Sequence, residues 1–266
     1  LITMQDSFHG RTLATVTATG QAKFHSGFAP LPEGFRYVPY NDLAALDAAV
    51  TDRTCGVMVE PIQGEGGVVI PAPGYLQGIR KICNERGLLM IVDEVQTGIG
   101  RTGTLFACEQ EEVVPDMITL AKALGNGFPI GALLAAKEVA AAFIPGSHGS
   151  TFGGNPLATA AGIAVVETLL DEEILINCSK VGEYFLNRLA ELKEKNDRIR
   201  EVRGRGLIIA VELTVPGADI VLECMNRGLL INCTGGNVLR FVPPLILTKT
   251  DVDKALGILS EVLEER

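Results

Sequence analysis

The sequence has 266 residues, 47% of them hydrophobic and 21% charged, enough apolar material to build one large domain or two modest ones. Its net charge of −9 argues against nucleic acid as the main partner, because duplex binding needs a basic footprint. No polybasic run or basic amphipathic helix offers a membrane surface a hold.

The first residues run directly into Asp6, His9 and Arg11, without the basic region and apolar block of a signal peptide. Thr54 to Glu60 reads as a short β-branched strand, and Pro73 to Arg86 as a helix with Leu76, Ile79, Ile82 and Cys83 on one stripe, stopped by Gly87. Leu88 to Asp93 is almost wholly apolar, as a strand covered on both faces should be. Met117–Leu120 and Ile130–Ala136 repeat the strand pattern. Strand–helix–strand alternation predicts an α/β fold with a mostly parallel sheet.

The last third changes character. Asn155 to Leu170 predicts a long Ala-rich helix, the best apolar run of the chain, yet broken by Thr159, Glu167 and Thr168 and too short for a membrane span. An amphipathic helix over 181–195, a strand-like stretch over 201–213, a helix over 218–227, strands at 229–232 and 238–242 and a helix over 251–264 follow, together a smaller α+β module. The domain boundary is expected near residue 165, giving a large domain over 1–165 and a small C-terminal domain over 166–266.

None of the six cysteines forms a CxxC pair, and the three histidines are not at metal-ligand spacing with them; free, reduced thiols and no metal are expected. His9 could lie near a reactive centre or be structural, and the structural reading is preferred for it as for His25 and His148.

Ligands of open parallel sheets bind at the carboxyl ends of the strands. Glu60, Asp93 with Glu94 and Gln96, and Lys122 all fall at such ends. A lysine in a partly desolvated place has a lowered pKa and condenses with aldehydes; a surface lysine in a loop is the competing reading. A strand-end aspartate can keep a pyridinium nitrogen protonated, or merely cap the next turn. Gly98-Ile-Gly-Arg-Thr-Gly103 matches GxGxxG, but the residues between strand and first glycine and the place of Asp116 fit a dinucleotide site poorly.

Six segments, in order, carry a more specific signal: Ser7-Phe-His-Gly-Arg-Thr12, Glu60-Pro-Ile-Gln-Gly-Glu-Gly-Gly67, Asp93-Glu-Val-Gln-Thr-Gly-Ile-Gly-Arg-Thr-Gly103, Ala121-Lys-Ala-Leu-Gly-Asn-Gly127, His148-Gly-Ser-Thr-Phe-Gly-Gly-Asn-Pro156 and Leu239-Arg-Phe-Val-Pro-Pro244. Together they resemble the class III aminotransferases. The resemblance implies the type I fold of pyridoxal-phosphate enzymes and pyridoxal 5′-phosphate as cofactor. It makes Lys122 the cofactor-bearing and proton-moving lysine, Asp93 the partner of the ring nitrogen, Gln96 a donor to the ring oxygen and Phe8 the stacking ring. Thr151 would bind the phosphate held by a neighbouring subunit, so a homodimer is implied. Arg240 would clamp the α-carboxylate of glutamate or 2-oxoglutarate, Glu65 would act as its acidic gate, and Arg11 would hold the more distant carboxylate.

The implied activity moves the δ-amino group of N-acetylornithine to 2-oxoglutarate, a step of arginine biosynthesis in the cytoplasm. Ornithine, succinylornithine, succinyl-diaminopimelate and 4-aminobutyrate are alternative donors. In that family a Gly-Thr-Glu-Ala-like turn binding the cofactor phosphate precedes the Phe8 motif; it is expected to lie outside these 266 residues, so a non-catalytic fragment is the further alternative.

Overall fold

The computed structural model describes residues 1–171 and 173–265. In chain order, the elements to the middle of the sequence are β1 (Ile2–Met4), α1 (Leu13–Ala18), β2 (Arg36–Val38), α2 (Leu43–Ala49), β3 (Gly56–Val59), α3 (Tyr75–Arg86), β4 (Leu89–Asp93), β5 (Met117–Leu120), β6 (Ala132–Ala135) and α4 (Lys137–Ala140). Then come α5 (Pro156–Asp171), α6 (Ile174–Lys195), β7 (Ile199–Arg205), β8 (Ile208–Leu213), α7 (Ala218–Asn226), β9 (Asn232–Thr234), β10 (Val238–Phe241) and α8 (Lys249–Glu265).

These elements sort into two compact units. The first comprises Leu1–Pro61, Pro71–Ile99 and Phe106–Leu169; the second comprises Ile62–Ile70, Gly100–Leu105 and the chain from Leu170 onward.

A six-stranded sheet in the order β2-β1-β3-β4-β5-β6 organises the first unit. Every pair is parallel except β5–β6, which is antiparallel. The expected mostly parallel α/β sheet is therefore observed. Ile2, Met4, Val57, Val59, Met90 and Val92 fill its core, each at most 1% exposed. Helix α3 covers them with Leu76, Ile79 and Cys83 buried, the stripe anticipated from their spacing, while Ile82 is only partly buried. Gly87 ends α3 in the left-handed conformation at φ +67°, and the N–H groups of Gly87 and Leu88 both donate to the Cys83 carbonyl. At the start of α5, Asn155 caps: its Oδ1 accepts the Ala158 N–H at 3.0 Å, and Pro156 occupies the first helical position, where a missing N–H costs nothing.

The second unit is built on an antiparallel sheet in the order β7-β8-β10-β9, with α6, α7 and α8 packed over it. Phe185, Leu189, Ile209, Val211, Leu239 and Leu259 are the middle of its core. Each such side chain contributes roughly 1.5–3 kcal/mol by leaving water.

Three boundaries differ from the sequence reading. Helix α6 starts at Ile174 rather than at residue 181, because Ile174 and Cys178 continue its buried stripe upstream of Val181. The strand-like stretch over 201–213 is two strands, turned at Gly206 with φ +56°. A side chain there would meet the Thr102 backbone at 2.6 Å, so only glycine fits. The strand expected over 229–232 lies at Asn232–Thr234, because Leu229 still donates its N–H to the Cys224 carbonyl in closing α7.

All six cysteines are free; Cys83, Cys108, Cys178 and Cys224 are buried, Cys233 is half-buried and Cys55 is exposed. No metal-binding cluster of His, Cys, Asp and Glu occurs among the described residues, and none of their helices is long and apolar enough to cross a membrane.

Candidate active site

The carboxyl edge of the large sheet gathers the polar residues singled out above. Asp93 is the last residue of β4, Glu60 follows β3 directly, and Lys122 stands two positions beyond Leu120, the end of β5. Asp93 pairs in register with Thr119 of β5, so the carboxylate and the lysine-bearing turn come from adjacent strands.

Asp93 is 5% exposed and fully engaged: Oδ1 accepts the Val95 N–H at 3.0 Å, and Oδ2 lies 2.8 Å from His9 Nδ1. The His9 N–H donates to Thr19 Oγ1 at 2.9 Å, which fixes the loop that carries the ring. The opposite ring nitrogen, His9 Nε2, is buried without a hydrogen-bond partner among the described residues. His9 is thus not a fully satisfied structural histidine but the orienting partner of the key carboxylate. The signal that could have found it is its place directly after Phe8, in the loop that follows β1, a strand that sequence reading did not resolve. His25 is structural: its Nε2 lies 2.7 Å from the Thr19 carbonyl. His148 is exposed, with its ring edge-on to Phe143.

Phe8 is held through its backbone, whose N–H donates to Glu60 Oε2 at 3.0 Å. Its ring packs edge-on against Phe24 at 5.3 Å. Arg11 is exposed and lays its guanidinium over Phe24 at 4.5 Å and Phe8 at 5.4 Å. Glu94, next to Asp93, is 1% exposed and accepts from Thr97 Oγ1 and from the Cys108 N–H. Burial pushes its carboxyl up, and these hydrogen bonds oppose the shift. The result is a turn over 93–97 pinned from beneath, with half-buried Gln96 on it.

Lys122 opens a short 3₁₀ turn, Lys122–Gly125, with its own backbone in the left-handed region at φ +46°. Such a conformation is uncommon outside glycine and is a frequent mark of functional positions. The side chain lines an open cavity of about 1050 Å³ with Phe128, Phe152, Asn155 and several glycines. Lys122 is exposed among the described residues. Gly127, Gly131, Gly153 and Gly154 line the same cavity, together with Pro129 and Ile130. Thr151 is exposed on the loop that leads to Asn155.

The second unit holds a separate arrangement. Arg240 on β10 is 8% exposed and donates from Nη1 to Glu65 Oε1 at 2.8 Å and to the Gly64 carbonyl at 3.1 Å, and from Nε to Asn232 Oδ1 at 3.2 Å. Glu65 sits at the tip of a small hairpin closed by the Gln63–Val69 bridge. Gly67 and Val68 there both have positive φ, +108° and +52°. For β-branched Val68 that costs free energy, offset by complete burial of its side chain among Ile62, Ile208, Ala210 and Val238. Arg203 clasps the same hairpin, donating to the Gly67 and Val68 carbonyls at 2.8 and 3.1 Å and to Glu212 at 2.7 Å. The Arg203 and Arg200 guanidinium groups hold the Glu212 carboxyl below its usual range.

The Gly98–Gly103 run forms turns and leads into a 3₁₀ segment, Ala107–Glu111, not into an α-helix. It therefore lacks the helix N-terminus on which a dinucleotide pyrophosphate rests.

A buried, oriented carboxylate at one strand end, a lysine beyond the next and an aromatic ring on the third loop are the parts of a pyridoxal-phosphate enzyme. The aminotransferase class-III family profile matches residues 1–263, and the chain belongs to that family. It is 54% identical to the acetylornithine aminotransferase of Caldanaerobacter subterraneus subsp. tengcongensis, over 100% of this chain and 67% of that protein. Among solved structures it is similar to the ornithine aminotransferase of Toxoplasma gondii, with TM-score 0.95 and 37% identity over 99% of this chain and 63% of that one. It is also similar to the acetylornithine aminotransferase of Elizabethkingia anophelis, with TM-score 0.86 and 35% identity over 100% and 65%. The chain thus spans about two-thirds of the length of these relatives. The family's cofactor is pyridoxal 5′-phosphate, and the engaged Asp93 carboxylate and the Lys122 amine fit it chemically.

Proposed function

We propose that this chain is the cofactor-bearing part of a cytoplasmic, homodimeric aminotransferase that moves the δ-amino group of N-acetylornithine to 2-oxoglutarate. Residues 1–165 would form the cofactor-binding domain and 166–266 the small domain. The observation that carries the reading is the Arg240–Glu65 pair at 2.8 Å, with Glu65 31% exposed. An arginine that is neutralised by an accessible acid can stay paired with it when an amine-bearing end enters, and be released from it when an α-carboxylate enters. One site then serves two chemically different substrates. The 54% identity to an acetylornithine aminotransferase supports this donor over the other ω-amines.

Pyridoxal phosphate, when bound, supplies an aldehyde and a ring that delocalises an electron pair. Lys122 would anchor it by its amine and, when free of it, would hold and move the proton of the transfer. Asp93 would keep its ring nitrogen protonated, with His9 holding Asp93 in one orientation. Gln96 would donate to its ring oxygen, Phe8 would stack against it, and Thr151 would bind the phosphate held by the neighbouring subunit. Arg240 takes the α-carboxylate and Arg11 the distal one.

The test is to add pyridoxal phosphate to the purified chain, reduce with borohydride and map the labelled peptide by mass spectrometry, then assay N-acetylornithine beside ornithine and 4-aminobutyrate. A single adduct on Lys122 and preference for N-acetylornithine are expected. Scattered labelling of surface lysines would mean that the chain alone does not hold the cofactor, and preference for another amine would move the substrate assignment to that donor.

A further inference from the structure

We propose that Asn232 is a positioning residue for Arg240 and sets the affinity for the carboxylate-bearing partner without acting on the amine donor. The proposal deepens the reading above and rests on it. Asn232 opens β9, the edge strand of the small sheet, and faces Arg240 directly in the register of β9 and β10. Its Oδ1 accepts the Arg240 Nε–H at 3.2 Å. Nε is a donor only, so the amide must present its oxygen there.

The division of labour over the guanidinium is the point. Glu65 and the Gly64 carbonyl both use Nη1, whereas Asn232 uses Nε. When a substrate carboxylate replaces Glu65, the guanidinium loses its ion pair but keeps the Asn232 contact. The planar fork therefore stays in one orientation at the moment when bidentate geometry matters. Asparagine also does this without charge. An aspartate would accept the same Nε–H but compete with the incoming carboxylate for the cation. While the amine donor is bound, Glu65 and the Gly64 carbonyl together hold Nη1, so Asn232 matters least in that half of the cycle.

The experiment separates the two half-reactions. Single-turnover kinetics of the pyridoxal-phosphate-loaded protein would be followed with N-acetylornithine, and of the pyridoxamine-phosphate-loaded protein with 2-oxoglutarate. For Asn232→Ala the expected result is an apparent Kd for 2-oxoglutarate raised about tenfold relative to any change in that for N-acetylornithine, with the limiting single-turnover rate nearly constant. A second readout needs no turnover: glutarate, a dicarboxylate without amine or oxo group, should raise the unfolding midpoint of the parent protein at about tenfold lower concentration than that of Asn232→Ala. Equal effects on both half-reactions, or equal glutarate responses in the two proteins, would overturn the proposal. A parent protein that transfers no amino group from any of the ω-amines would overturn the aminotransferase reading itself, and the role of Asn232 with it.

Discussion

The two units hold their charged groups in opposite ways. In the first, Asp93 is 5% exposed and both of its oxygens are taken, one by a backbone N–H and one by His9. In the second, Glu65 is 31% exposed and bonded to a guanidinium from the end of a glycine-bordered hairpin. A charge that must stabilise one ring nitrogen throughout a reaction gains from being locked, because no reorganisation is then needed as charge develops. A charge that must leave its partner when a different substrate arrives gains from access to water, which solvates the carboxylate once it is displaced. Burial therefore separates groups suited to chemistry from groups suited to switching.

The contrast can be broken most severely at Lys122. Lys122→Ala should lower transamination by roughly 10⁴-fold while leaving the thermal unfolding midpoint nearly unchanged, since the side chain is exposed. Retained steady-state turnover would remove the assignment. Next in size, Asp93→Asn should cost roughly 10²–10³ in kcat with a smaller loss of cofactor retention, read by absorbance after gel filtration. If retention alone suffers, the locked carboxylate is only an anchor. Glu65→Gln keeps an acceptor for Arg240 but removes the ion pair, so it sharpens the other side. The KM for glutamate should fall and that for N-acetylornithine rise, each by about fivefold. Smallest is Glu212→Gln, which loosens the Arg203 clasp on the Glu65 hairpin. The folded-state pKa of Glu212 is depressed, so its contribution to stability is present above the ordinary carboxylate range and is lost as the pH falls through the folded value. The variant should unfold about 2 °C lower at neutral pH, and the difference should disappear in acid.

Much of this was legible in the residues. The parallel sheet could be read because β3, β4 and β5 are mostly apolar runs alternating with helical segments, and α3 because its stripe is bounded by Gly87. Strands β1 and β2 were missed because each has only three residues and no periodicity of its own; their places come from pairing with each other and, for β1, with β3. Lys122 and Asp93 stood out by their position at strand ends. His9 did not, because its importance lies in a contact 84 residues away in sequence. Asn232 carried no signal, since an isolated asparagine at a strand start is ordinary until its register opposite Arg240 is known.

The distribution of thiols has a practical consequence. Burial pushes the Cys83 thiol up to about 11 and the Cys108 thiol up to about 12, and raises those of Cys178, Cys224 and Cys233 as well. Only the thiolate reacts readily with maleimides and iodoacetamides. Exposed Cys55 is therefore a natural single attachment point, where a fluorophore can be installed on the unmutated protein without touching Lys122, Asp93 or Arg240.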